Sequence, residues 1–399
     1  MHFAFVTLPA HGHVNPTLPL VRELVRRGHR VSYAVHEPFH RTIESAGAAP
    51  IALPGEMPVP PPGGMPSRPS DFNLAGMSRM LDYFLTATRD GVAALEEHFA
   101  ADRPDAVCYD AMDTVGRATA ERLGLPDVAL HSTHASHEDL SLLELLRSES
   151  GETSGVLPIF SMMRQVSEQL AADLGIKPTA PLNGTPAPLN IVFIPREFQI
   201  AGDTFDERFH FVGPSIGARA TDENWQAPQP GRPLLFISLG TAFNNQPDFF
   251  RECLKAFGDG QWRVAMAVGG HLDASELGRV PENFDIRPRF PQLAVLSHAD
   301  VFLTHAGMNS TMESLYFGVP MVAVPQMAEQ DANARQAERL GFALRLGKAD
   351  ITADLLRRSV DQIHADQQVR GSVTEMGRKL RATDGAAAAA DALEAHLAD

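Results

Sequence analysis

Two histidines, His11 and His13, stand in the segment Pro9-Ala10-His11-Gly12-His13-Val14-Asn15-Pro16. This loop lies between a short apolar run, Phe3 to Leu8, and a stretch from Thr17 to Arg27 with helical periodicity. A histidine just ahead of a helix N-terminus feels the positive end of the helix dipole, which favours the neutral, proton-accepting imidazole. Position alone suits a loop histidine bonded to backbone equally well, and the chain has 16 histidines. A carboxylate able to orient a basic imidazole stands at Asp110, which ends the apolar run Ala106-Val107-Cys108-Tyr109. Asp113 competes for that role, and Asp110 is equally suited to capping the helix that follows.

The richest constellation runs from Val301 through His305, Gly307, Asn309, Ser310 and Glu313 to Gly318, Pro320, Glu329 and Gln330. A strand there enters a glycine-containing turn that opens a helix near Asn309. Backbone N–H groups at such a terminus, with the Ser310 hydroxyl, the Asn309 amide and the His305 ring, cradle a phosphate without lysine. Glu313, one turn further, can accept two hydrogen bonds from a vicinal diol such as ribose. Glu329 and Gln330 offer groups suited to sugar hydroxyls. The same residues also fit an ordinary N-capped helix. The His11–His13 loop carries neither the GxGxxG of a dinucleotide site nor a Walker A pattern. His131, His134 and His137 follow a strand in a loop rather than sharing a helix face, so they are expected to rim an acceptor pocket and not to hold zinc.

The elements that must position these groups alternate. Arg30 to Val35 is a second strand, and a further strand–helix–strand unit runs through Ala106–Asp110, a helix from about Thr114 to Leu123 with Gly124 as C-cap, and Val128–Leu130. Ile191–Ile194 and Phe209–Val212 follow. A polar, Pro/Gly-rich linker is expected over 217–233, and Leu234–Ser238, Val264–Val268, Val301–Leu303 and Met321–Val324 build a second sheet. The fold class read from this pattern is α/β, with two Rossmann-like, doubly wound parallel-sheet domains facing a cleft. The expected boundaries are 1–216, 234–384, and a helical tail over 385–399 that packs back on the N-terminal domain.

Composition limits the partners. A chain of 399 residues suggests two or three domains, and 44% hydrophobic with 21% charged residues fits a buried core. The balance of 34 basic against 49 acidic residues gives −15 at pH 7, without any Lys/Arg run, so nucleic acid is not an expected partner. An anionic ligand must then be held by local dipoles. Two cysteines outside any CxxC pair, no signal-peptide pattern and no long apolar span make a cytoplasmic protein the expectation.

Taken together, the His-Gly-His-Val-Asn-Pro loop, the Asp110 strand, Phe211-Val212-Gly213-Pro214, Ser238-Leu239-Gly240-Thr241 and the block from Pro291-Gln292 to Glu329-Gln330 resemble the inverting, family 1 glycosyltransferases of GT-B fold. Within them the resemblance is to bacterial macrolide and natural-product enzymes, and it spans nearly the whole chain. It implies His13 as catalytic base with Asp110 as its partner, and His11 as a neighbour. It implies His305, Asn309 and Ser310 on the diphosphate, with Gly240, Thr241 and Gly307 lining that region. Glu313 would hold the ribose, Gln292 would sit near base and ribose, and Glu329 and Gln330 would hold the hexose. Arg289 stands where many relatives stack a tryptophan on uracil; a guanidinium can stack there too.

The resemblance further implies transfer from a UDP-sugar, glucose above others, to a hydroxyl of a macrolide, flavonoid or similar aglycone. No DxD motif occurs, so no metal or other cofactor is expected. Segments around Phe72, Met77, Met80 and Phe84, and around Phe160, Met162 and Met163, are adaptable enough to contact a large apolar acceptor, with His131 beside them; each is also an ordinary helix-core position. Two rival readings are a UDP-sugar epimerase of similar fold and a non-catalytic auxiliary protein that activates a partner transferase. Monomer and dimer both remain open.

Overall fold

The computed structural model describes residues 1–55, 74–141, 156–178, 185–216, 225, 231–241 and 244–398. Most of the expected linker over 217–233 lies outside these residues. The described part divides into two compact units, one from 1–215 with 384–398 and one from 216–383.

The first unit holds seven strands: β1 (His2–Val6), β2 (Arg30–Val35), β3 (Ala49–Ala52), β4 (Ala106–Asp110), β5 (Asp127–His131), β6 (Leu189–Val192) and β7 (Phe209–Phe211). Their order is β3-β2-β1-β4-β5-β6-β7, and every pairing is parallel. The second unit holds β8 (Leu234–Ser238), β9 (Arg263–Ala267), β10 (Phe284–Arg287), β11 (Val301–Thr304), β12 (Met321–Ala323) and β13 (Ala343–Arg345), in the parallel order β10-β9-β8-β11-β12-β13. Strands this apolar, buried on both faces, are what parallel sheets covered by helices require. In each sheet the winding reverses at one place, between β1 and β4 and between β8 and β11. Open α/β sheets bind ligands beyond the carboxyl ends of strands at such a reversal.

The first helix departs from expectation. Residues 9–16 read as a loop, but the helix already starts at His11 and runs to Arg26, with Pro16 and Pro19 inside it. Each proline costs an interior helix about 3 kcal/mol. Fully buried Val or Leu side chains contribute roughly 1.5–3 kcal/mol each, and Val14, Leu18, Leu20, Val21 and Leu24 of this helix are all buried. Packing therefore outweighs the two breakers. Strands β3, β10 and β13 were not expected either. They have four, four and three residues, too short for a period to declare itself.

The helix Gly385–Ala398 belongs to the first unit. Ala389, Ala390, Ala392 and Leu393 join a core cluster with Phe3, Val21, Leu24 and Ile191. Arg27 bonds Asp391 and Glu394 at 2.7 and 2.6 Å, and His29 reaches Glu394 at 2.6 Å.

The competition between the two aspartates is resolved in the Thr114–Leu123 helix. Asp113 is its N-cap, accepting from the N–H of Val115 at 2.6 Å and of Gly116 at 3.4 Å, and Gly124 ends it in the left-handed region at φ 58°. Burial, followed by the charge of Asp110, pushes the Asp113 carboxyl up to about 6. A carboxyl raised above its ordinary value binds protons more readily folded than unfolded, so its ionised form disfavours the fold above that pH. Asp113→Asn, which keeps the capping oxygen and removes the charge, should melt higher than wild type near pH 8, with the gap narrowing below about pH 6 and closing towards the ordinary value of 3.8. Asp113→Ala, which loses the cap as well as the charge, should lie about 1 kcal/mol below Asp113→Asn at any pH. Thermal melts of both variants across pH are the check.

Candidate active site

At the β1/β4 reversal the register pairs Val6 with Tyr109, so Asp110 ends its strand beside the segment that leaves β1. That segment turns at once into the His11–Arg26 helix, whose third residue is His13. The His13 ring and the Asp110 carboxylate meet there, Nδ1 to Oδ2, at 2.6 Å. Asp110 is buried and the His13 side chain is 21% exposed, so the bond anchors one end of the ring to the interior. An ionised carboxylate only accepts hydrogen bonds, so Nδ1 carries the proton and Nε2 keeps its lone pair. The second Asp110 oxygen accepts the Met112 N–H at 2.9 Å.

Ser132, one residue beyond β5, completes this cluster and was not read from the sequence. Its Oγ lies 3.0 Å from His13 Nδ1 and 3.4 Å from Asp110 Oδ2. The consistent arrangement has the hydroxyl donating to the carboxylate while sharing the ring proton. Its place at the carboxyl end of the strand next to β4 was the available signal. His11 is exposed and its ring meets Phe39 edge-on at 5.1 Å.

The three following histidines go separate ways. His131 is buried, with Nε2 3.2 Å from Asn190 Oδ1 and its ring against Phe209. His134 stacks on Phe198, and His137 bonds Thr204 Oγ1 at 2.9 Å. Among the described residues no group of three His, Cys, Asp or Glu side chains could hold a metal ion. Of the Met/Phe positions expected near an acceptor, Phe84 is half-buried against Tyr83 at 5.7 Å. Phe72 lies outside the described residues, as do the side chains of Met77, Met80, Phe160, Met162 and Met163.

The second unit repeats the scheme at the β8/β11 reversal, where Ser238 pairs with Thr304. His305 therefore emerges opposite the β8 exit, and its ring is enclosed by two glycines. A Cβ on Gly240 would lie 2.5 Å from His305 Nε2, and one on Gly307 2.6 Å from the same atom. Gly240 has φ +75°, and its carbonyl accepts from Asn244 Nδ2 at 2.8 Å. Gly307 is the N-cap of the helix Met308–Phe317 and has no side chain to cap it. The first-turn N–H groups, those of Asn309 and Ser310 among them, lack acceptors within the helix. Burial pushes the His305 ring down to about 4, so it is neutral at pH 7.

One amide ties the next group together. Gln292 Nε2 donates to Ser310 Oγ at 3.1 Å and to Glu313 Oε2 at 2.6 Å, and Glu313 is buried. Glu329 and Gln330 open the helix Ala328–Arg339. Glu329 Oε1 accepts from Asn333 Nδ2 at 2.8 Å, and Gln330 Oε1 accepts the Gln326 N–H at 2.8 Å. Arg289 and Thr241 are exposed at the surface. Asn244 and Asn333, like Ser132, were missed, because each lies in a polar stretch where no period or spacing singles it out.

Two parallel-sheet units, each with polar groups gathered where its strand order reverses, have close counterparts among known proteins. Residues 258–395 match the family model "Erythromycin biosynthesis protein CIII-like, C-terminal domain". The chain is 39% identical to the NDP-glycosyltransferase YjiC of Bacillus licheniformis, covering 100% of this chain and 98% of that one. It is 34% identical to demethyllactenocin mycarosyltransferase of Streptomyces fradiae, covering 99% and 86%. The crystal structure of the calicheamicin glycosyltransferase CalG4 superposes with a TM-score of 0.81 at 33% identity, covering 100% and 98%. The chain belongs to the family 1 glycosyltransferases of GT-B fold and resembles the macrolide enzymes among them. It is an NDP-sugar glycosyltransferase. Among the described residues no helix is long and apolar enough to cross a membrane.

His305 gives a measurable pH signature. Its folded value of about 4 lies below the ordinary 6.5, so the unfolded chain takes up the proton first as pH falls. Stability from this site is complete above about pH 6.5 and is lost on the way down to about pH 4. His305→Gln should therefore lose less melting temperature than wild type over that interval, as scanning calorimetry in matched buffers would read.

Proposed function

We propose that the protein transfers a hexose, glucose above others, from a UDP-sugar to a hydroxyl of a large apolar acceptor such as a macrolide or flavonoid, with inversion and without a metal. The observation that carries this reading is the hydrogen bond between His13 and buried Asp110. It fixes the tautomer whose Nε2 can accept a proton, and a buried carboxylate stabilises the imidazolium that results. In this mechanism the acceptor hydroxyl gives its proton to His13 Nε2 while its oxygen attacks the anomeric carbon. The bond from that carbon to the diphosphate breaks on the opposite face, and the configuration inverts.

The departing diphosphate gains negative charge, which the N-terminus of Met308–Phe317, Asn309, Ser310 and neutral His305 are suited to meet with N–H and O–H donors. Neutral donors already pointing at the anion need little reorganisation, which is why a metal is not required in this reading. Glu313, buried and steadied by Gln292, suits a ribose with both hydroxyls, and so favours UDP over TDP. Glu329 and Gln330 suit a fully hydroxylated hexose. Gly240, Thr241 and Gly307 line the diphosphate region, and exposed Arg289 is available to stack on the base. The Met and Phe side chains near residues 72–84 and 160–163, with His131, are assigned to the acceptor. The setting is cytoplasmic.

The test is UDP-glucose with a panel of macrolides and flavonoids, read by mass. Wild type should add one hexose to at least one acceptor. His13→Ala and Asp110→Asn should each lower kcat by about a hundredfold or more while leaving the KM for UDP-glucose near its wild-type value. Failure of wild type to modify any acceptor, or full activity in the His13 variant, overturns the reading. TDP-glucose and a UDP-deoxysugar run in parallel check the base and sugar assignments, and addition of EDTA checks the metal.

A further inference from the structure

Ala306 sits between His305 and Gly307 with φ at 60°, in the left-handed region that a residue with a Cβ rarely adopts. Something must hold it there. Its carbonyl accepts from Asn333 Nδ2 at 3.0 Å. Asn333 is fully buried, at 0% exposure, and the same nitrogen gives its other proton to Glu329 Oε1 at 2.8 Å. Both partners can only accept, so the amide has one workable orientation, with its nitrogen towards Ala306 and Glu329. Asn333 Oδ1 then has no hydrogen-bond partner among the described residues. A buried oxygen left unsatisfied costs stability, and an apolar residue would avoid that cost. The side chain is therefore explained by the two bonds it donates.

The surroundings make the link short and stiff. Glu329 and Asn333 are four residues apart on one helix, which puts them on the same face. Ala306, Ala323 and Ala334 form a buried cluster of small side chains that lets the loop and this helix approach closely.

We propose that Asn333 is a positioning residue that couples the His305–Gly307 loop to the Glu329 carboxylate, so that one buried amide sets the donor's diphosphate and its sugar in register. The inference rests on the reading of that loop as the diphosphate site and of Glu329 as a sugar contact. Asn333 itself touches neither. With Oε1 of Glu329 fixed by the amide, the direction of its second oxygen is set by the same residue that holds the Ala306 carbonyl.

Two consequences separate this role from plain scaffolding. Losing the bond to Ala306 should weaken every ligand that uses the diphosphate loop, UDP included. Losing the bond to Glu329 should weaken only ligands that carry the sugar.

The experiment is calorimetric titration of the full chain with UDP and with UDP-glucose (TDP and TDP-glucose if wild type prefers thymidine), well below each variant's melting temperature. The proteins are wild type, Asn333→Ala, Glu329→Ala, the double variant of the two, and Asn333→Ala with Ala306→Gly. Asn333→Ala should weaken UDP about threefold and UDP-glucose about tenfold or more, the scale of lost hydrogen bonds to a neutral and to a charged group. In the Glu329→Ala background its additional, sugar-specific loss should vanish. Ala306→Gly, which relieves the left-handed strain, should restore UDP binding to Asn333→Ala but not the sugar-specific part.

A lowered melting temperature with both affinities unchanged overturns the proposal, as does a sugar-specific loss that persists without Glu329. If Glu329→Ala weakens UDP and UDP-glucose equally, the reading of Glu329 as a sugar contact fails, and the sugar arm of the coupling fails with it. The loop arm is still read on UDP alone. If Asn333→Ala does not fold, Asn333→Ser, which keeps a single proton to donate, replaces it and should lose one of the two bonds. Unchanged affinity for both ligands in that variant overturns the proposal equally.

Discussion

A carboxylate that is buried needs a partner, and at the end of β4 the partner is the His13 ring. Much of the first unit is arranged to let that bond form. β1 and β4 must be neighbours, which fixes the place where the sheet's winding reverses. The chain must turn into its first helix at once after β1, even though two prolines follow, or His13 would lie a turn away from Asp110. Asp113 must take over the capping of the next helix so that Asp110 remains available to the ring. Two carboxylates so close repel, and that repulsion, after burial, helps push the Asp113 carboxyl up.

The second unit meets a different demand with the same sheet geometry. An acidic chain cannot draw in an anion by its overall field, so any attraction has to be local. Gly240 and Gly307 leave just enough room for an imidazole between them, and burial keeps that imidazole uncharged. A neutral ring flanked by backbone amides offers directional donors rather than a diffuse positive charge. On the proposed reading of this loop as the diphosphate site, it favours an anion of the right shape over an anion of high charge.

How much of this could be read in the chain depended on the kind of signal. His13, Asp110, His305, Glu313 and Glu329 stood out because chemically capable residues recur at strand ends and at fixed spacings, and the resemblance to a known family joined them and added Gln292. The parallel, doubly wound character of the two sheets followed from the alternation of apolar strands with helices. The start of the first helix did not, because proline chemistry argued against it and only tertiary packing argued for it. Strands of three or four residues carry too few positions to show a period. Ser132, Asn244 and Asn333 were invisible for another reason: each acts through hydrogen bonds that only the folded chain brings together, and no spacing or motif in the sequence names their partners.

The helix Gly385–Ala398 carries a consequence for how the molecule is made. It contributes Ala389, Ala390 and Leu393 to the core of the first unit, yet the ribosome delivers it only after the entire second unit. At about 5–20 residues per second, translation of the intervening chain takes on the order of ten seconds. For that interval the apolar side chains that will meet this helix have no cover, and Arg27 lacks two of its eventual carboxylates. Synthesis therefore cannot proceed as two independent beads on a string. The nascent first unit completes its core only once this helix has emerged.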